Sequence, residues 1–107
     1  MAGMKIKMKQ QDLLWADLVK ERDDYTCQHC FKVYPEGQRR GLHAHHIFTR
    51  TRRSTRWMLE NGITLCFYHH AWAHENPLEF HELMKDRLGW ENYDELRALS
   101  LKTKVTA

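Results

Sequence analysis

No apolar run in the 107-residue sequence approaches the ~20 residues that a membrane span needs. The opening stretch MAGMKIKMKQ alternates lysine with apolar residues, so it does not read as a secretory leader. There is no internal repeat, low-complexity tract or linker. The three cysteines cannot all pair within the chain, because their number is odd. Together these absences predict a soluble, cytoplasmic chain with reduced thiols. Its cysteines are then candidate metal ligands.

Carboxylates are also missing from one long segment. Residues 37–59 hold six arginines (Arg39, Arg40, Arg50, Arg52, Arg53 and Arg56) and no acid. Residues 75–97 reverse the balance, with seven acids against three bases. The whole chain carries only +3. An arginine block in a nearly neutral protein is therefore a local field, and it suggests a polyanionic partner.

The apolar pattern predicts an α+β fold that is low in strand. Leu14 with Leu18, and Trp15 with Val19, stand at i, i+4 spacing and mark an amphipathic helix over about 11–22. Leu42–Ile47 and Gly62–Leu65 are candidate strands, the second following the turn signal Asn61-Gly62. Cys66–His74 reads as a short helix, with Phe67, Tyr68 and Trp72 as core; Trp57 also reads as core. Asn76, Pro77 and Glu79 form a helix start, and Phe80, Leu83, Met84 and Leu88 form the buried stripe of a helix over 77–88. Gly89 can end it. Asn92 with Glu95 repeats the capping pattern, with Leu96 and Leu99 on the inner face of a last helix over about 93–101.

The cysteines fall into two half-motifs. Cys27-x2-Cys30 brings two thiolates close enough to share one ion, and Cys66-x2-His69 supplies a matching pair after 35 intervening residues. Together they make the Cys3His set of a tetrahedral structural zinc. A redox role for Cys27 and Cys30, with Cys66 as a buried apolar residue, is the competing reading. It lacks the parallel-sheet pattern that such pairs usually accompany. His29, between the first two cysteines, reads as a solvent-facing side chain and not as a ligand.

Six of the eight histidines lie between 43 and 74. On a helix His70 and His74 share a face at i, i+4, an arrangement that can chelate a second metal. His69 is turned by roughly 100° from His70, and so can face the cysteines. One short helix could serve two sites.

At this point a family pattern is complete. Leu42-His-Ala-His45-His46-Ile47, then Asn61-Gly-Ile-Thr-Leu65-Cys66, then His70-Ala-Trp-Ala-His74, resembles the HNH endonucleases. The three parts stand in the family's order over roughly residues 25–80, with eight residues between Asn61 and His70. The stretch Arg50 to Phe80 looks further like small phage and prophage nucleases of this family. The resemblance implies one nuclease domain over 1–107, with a ββα-metal (His-Me finger) core flanked by an N-terminal helix and two C-terminal helices. It implies His46 as general base, His45, His70 and His74 as ligands of a catalytic divalent metal (Mn2+, Mg2+, Ni2+ or Zn2+), and Asn61 as the brace that holds the His46 loop through backbone hydrogen bonds. His43 shares strand parity with His45 and ranks behind it as a ligand. Because neighbouring strand residues point to opposite faces, β-structure is expected to end or bulge near His46.

DNA follows as the substrate, with Arg50, Arg52, Arg53 and Arg56 as backbone contacts. A monomer is expected, with phage terminase or other DNA-processing proteins as partners. Two further readings keep part of the same residues. One is a zinc-stabilised DNA-binding module without catalysis. The other is a packaging or repair accessory that docks through its acidic C-terminal helices.

Overall fold

The computed structural model describes residues 2–102. Helix α1 (Ala2–Arg22) leads into a knuckle around Cys27 and Cys30, then strand β1 (Leu42–His46). The arginine-rich loop follows and ends in a 3-10 turn (Leu59–Asn61). Strand β2 (Gly62–Cys66) then runs directly into helix α2 (Phe67–Glu75), followed by α3 (Pro77–Leu88) and α4 (Trp90–Ser100). The strands form one antiparallel pair in which Leu42 faces Cys66, His45 faces Ile63 and His46 faces Gly62. The fold is α+β, as the pattern predicts, and no helix among the described residues is long and apolar enough to cross a membrane.

This two-stranded sheet is covered on both sides. Alternation sends Leu42, Ala44 and His46 of β1, with Gly62 and Thr64 of β2, toward α1. Trp15 and Val19 of α1 meet them, both fully packed. The other parity, including Ile63 and Leu65, packs against Ala73, Phe80, Met84, Tyr93 and Leu96 of the following helices. Gly62 allows α1 to come this close: a Cβ there would stand 2.6 Å from the Trp15 ring and from a Val19 methyl. Its φ of −124° is ordinary strand backbone, so it is a packing glycine and not the turn glycine its Asn-Gly context suggests.

Several element ends depart from the sequence pattern. Helix α1 starts before the expected residue 11, because Ala, Met, Lys and Gln are good helix formers and continue the helix backward. Only the Trp15–Val19 half of its apolar pattern is buried; Leu14 and Leu18 are exposed. The Asn76 side chain does not cap α3. Its amide donates instead to the Trp72 carbonyl and finishes α2. Helix α4 begins at Trp90, three residues before its expected start, with Gly89 at φ 87° as the joint. The Asn92 amide reaches back to the Leu88 carbonyl, closing α3. Phe67 and Tyr68 are exposed, against expectation, because α2 begins at the rim of the sheet. Trp57 is also exposed on one side, its indole N–H donating to Asp12.

Candidate active site

The knuckle is closed by backbone. Cys27 N–H donates to the Lys32 carbonyl and Phe31 N–H to the Cys27 carbonyl, with Phe31 in the left-handed region at φ 64°. Gln28 N–H donates to the Thr64 carbonyl and ties the knuckle to β2. That tie brings Cys27 and Cys30 to the end of β2, where Cys66 and His69 wait. The Cys66 thiol accepts from the His69 backbone N–H at the start of α2.

The result is a cluster of four donors, Cys27, Cys30, Cys66 and His69, all within 4.8 Å of one another. The Cys30 and Cys66 sulfurs lie 3.9 Å apart, and His69 Nδ1 is 3.4 Å from Cys66 Sγ and 3.8 Å from Cys27 Sγ. A zinc tetrahedron has donor–donor edges of about 3.5–3.8 Å at the ion's usual bond lengths. The cysteines form no disulfide. Burial and the crowding of neighbouring thiols push Cys66 above the ordinary thiol value, whereas at Cys27 backbone N–H groups outweigh burial and bring it below. The arrangement is compatible with a structural zinc site. His29 is outside the cluster, but it stacks on the His69 ring at 3.9 Å, so it is half-buried and not simply solvent-facing.

A second cluster lies on the α2 side of the sheet. His45 from β1 and His70 and His74 from α2 each present a ring nitrogen within 4.8 Å of the others, and His70 Nε2 and His74 Nε2 are 3.2 Å apart. Helical i, i+4 geometry makes the second contact and the β1–α2 packing makes the first. Burial, then the neighbouring imidazoles, hold His45 down at about 3 and His70 at about 4. Both are neutral at physiological pH, the form in which an imidazole can bind a cation. His43 stacks on His70 at 4.5 Å and lies outside the three-histidine set.

His46 faces the other way, as strand parity requires. Its ring lies flat on Trp15, with centroids 3.9 Å apart and planes 7° from parallel. Its Nε2 is 2.9 Å from the Arg56 carbonyl. A carbonyl only accepts, so the ring proton sits on Nε2 and the lone pair on Nδ1. Burial lowers its pKa and favours this neutral form. The strand pairs regularly to its end at His46, without a bulge. Beyond that end the chain opens into a cavity of about 540 Å3, lined by His46 together with His45, His70, His74 and Arg50.

Asn61 is fully buried and touches neither cluster. Its Oδ1 accepts from Phe48 N–H at 2.8 Å and its Nδ2 donates to the Phe48 carbonyl at 2.9 Å. Its own carbonyl accepts from Ile47 N–H. One side chain thus satisfies both backbone groups of the residue two beyond His46.

The four arginines named from the sequence separate. Arg50 lines the histidine cavity and Arg52 a neighbouring one. Arg53 is exposed. Arg56 is engaged: its guanidinium makes a two-point ion pair with Asp12 at 3.0 and 2.7 Å, so it is not a free phosphate contact. Asp12 and Trp15 were not legible as site residues. They belong to a helix turn whose sequence shows only apolar spacing, and they meet Arg56 and His46 from distant parts of the chain.

In comparisons with known proteins, the chain matches no family model, no curated protein and no solved structure.

Proposed function

We propose that this protein is a metal-dependent DNA endonuclease of the HNH type, with a ββα-metal core built from β1, β2 and α2. The observation that carries the reading is one cavity lined both by a three-histidine cluster and by a separately held, neutral histidine. A metal-binding module without hydrolytic chemistry needs no such second imidazole.

His45, His70 and His74 would hold the cation, and their all-nitrogen set suits zinc, nickel or manganese, with magnesium usable where phosphate oxygens complete the shell. When bound, a divalent cation supplies charge neutralisation at the phosphoryl oxygens and stabilisation of the leaving 3′ oxygen. His46 takes one proton from water at Nδ1 while its Nε2–H stays on the Arg56 carbonyl. The water oxygen bonds to phosphorus, the P–O3′ bond breaks, and the products are a 5′-phosphate and a 3′-hydroxyl protonated from solvent. Trp15 fixes the ring plane of His46, and Asn61 fixes the chain just beyond it. Arg50, at the cavity edge, attracts the phosphate backbone.

The test is cleavage of supercoiled DNA across a series of divalent metals. His46→Ala is expected to lose about 10²–10⁴-fold in rate, with DNA affinity and metal content retained. His70→Ala is expected to weaken metal binding, with partial recovery in excess metal, and His74→Ala to do so more mildly. Wild-type rates in His46→Ala, or no cleavage by the unmodified protein with any metal, would overturn the reading.

A further inference from the structure

A second, smaller cavity of about 220 Å3 adjoins the histidine cavity, and Ile47, Thr49 and His81 line both. It is also lined by Arg52 from the arginine-rich loop and Arg97 from the last turn of α4. No carboxylate lines it. Among the described residues the ion pairs engage Arg22, Arg39, Arg56, Lys85 and Arg87, leaving both of these guanidiniums unpaired. Arg97 comes from the acid-rich C-terminal part of the chain, yet it lines the same cavity as Arg52 of the acid-free arginine block.

We infer that this cavity is a phosphate subsite for the DNA backbone. It would seat the phosphodiester next to the one at the His45, His70 and His74 cluster. The identity of the ligand rests on the nuclease reading; the anion-binding chemistry rests on the cavity itself. Two guanidiniums can grip phosphate oxygens through paired N–H donors. His81 adds an imidazole, held by the contact of its Nδ1 with the Tyr93 hydroxyl at 2.8 Å.

The site is also held in shape. The Ser54 hydroxyl donates to the Leu99 carbonyl and fastens the arginine-rich loop to the end of α4. The carbonyl end of α4 opposes an anion. Its Arg97 and Leu99 oxygens are already engaged by Ser100, by Leu101 N–H and by Ser54. The Arg52 and Arg97 guanidiniums are the charged groups that a phosphate entering the cavity meets.

The experiment measures the salt dependence of affinity for a short DNA duplex, without added divalent metal and without chelator. Arg97 is exposed, so Arg97→Gln keeps the fold. That variant is expected to bind more weakly and to reduce the slope of log affinity against log salt by about 0.9, the value of one lost phosphate contact. Arg97→Lys is expected to keep most of the slope. Lys32→Gln, an equal charge loss on the distant knuckle, is expected to leave it unchanged. If Arg97→Gln matches the unmodified protein in slope and affinity, or Lys32→Gln lowers the slope equally, the subsite is wrong. A protein that cuts no DNA but shows the Arg97 effect loses the nuclease reading and keeps the subsite. A protein that cuts DNA without the Arg97 effect does the reverse.

Discussion

His46 owes its orientation to residues on two other elements. Trp15 supplies the flat surface, and its indole N–H donates to the Met58 carbonyl at the end of the arginine-rich loop. Arg56 supplies the carbonyl that fixes the ring proton on Nε2, and Asp12 holds Arg56 and Trp57 together through three hydrogen bonds. The guanidinium beside Asp12 keeps its carboxyl below the usual range, so the pair stays ionised at neutral pH. Asp12 is thus a positioning residue that acts through Arg56. Asp12→Ala is expected to cost about 1–3 kcal/mol of stability, the scale of lost charged hydrogen bonds. It is also expected to slow DNA cleavage, while DNA affinity holds or rises because Arg56 is released. Nitrogen NMR of the His46 ring separates this from general loosening. The unmodified protein should show one Nε2–H tautomer and Asp12→Ala a mixture. A single unchanged tautomer in the variant would leave Asp12 with no role at His46.

Elements meet where side chains are small enough to let them. The absence of a Cβ at Gly62 sets the distance between α1 and the sheet, and the Trp15 ring in that contact also carries His46. Gly62→Ala is expected to lose about 1–3 kcal/mol from overpacking, read from denaturant midpoints. Cleavage should fall further than stability alone explains, because Trp15 must move; full activity in the folded variant would separate the packing from the site. This contact was outside what the pattern could give. Period and composition are local, so they marked both strands, the α2 histidine face and the Phe80–Met84 stripe. They also paired Cys27-x2-Cys30 with Cys66-x2-His69, because metal chelation leaves a spacing signature. They could not choose between the Leu14–Leu18 and Trp15–Val19 sides of one helix, since that choice depends on which face meets Gly62. Asn76 and Asn92 sit at helix joints where one amide can serve either neighbour, and both serve the preceding helix. The Asp12–Arg56 pair joins two segments 44 residues apart and has no local signature at all.

At the scale of the whole molecule the chain has little core to spare. Its radius of gyration is 14.1 Å, against about 13 Å for a typical fold of this length, and the sheet has only two strands. Small folds of this kind gain from a staple. The Cys27, Cys30, Cys66 and His69 cluster is placed to be one: it joins the knuckle, which has no regular secondary structure, to the end of β2 and the first turn of α2. Zinc binding would then be folding free energy, since the four donors converge only in the folded chain. The histidine cluster differs. Its members lie on β1 and α2, which are already packed around the shared core. Loss of an ion there should leave the fold standing. Cys66→Ser is therefore expected to lose one bound zinc and to melt far below the unmodified protein, with unfolding at ambient temperature as the extreme. His70→Ala is expected to keep that zinc and to melt within a few degrees of the original, while losing metal-dependent cleavage. Metal analysis beside a thermal melt reads both. If Cys66→Ser melts normally without its zinc, the cluster is not what holds the fold; if His70→Ala collapses, the two sites do not divide stability from chemistry in this way.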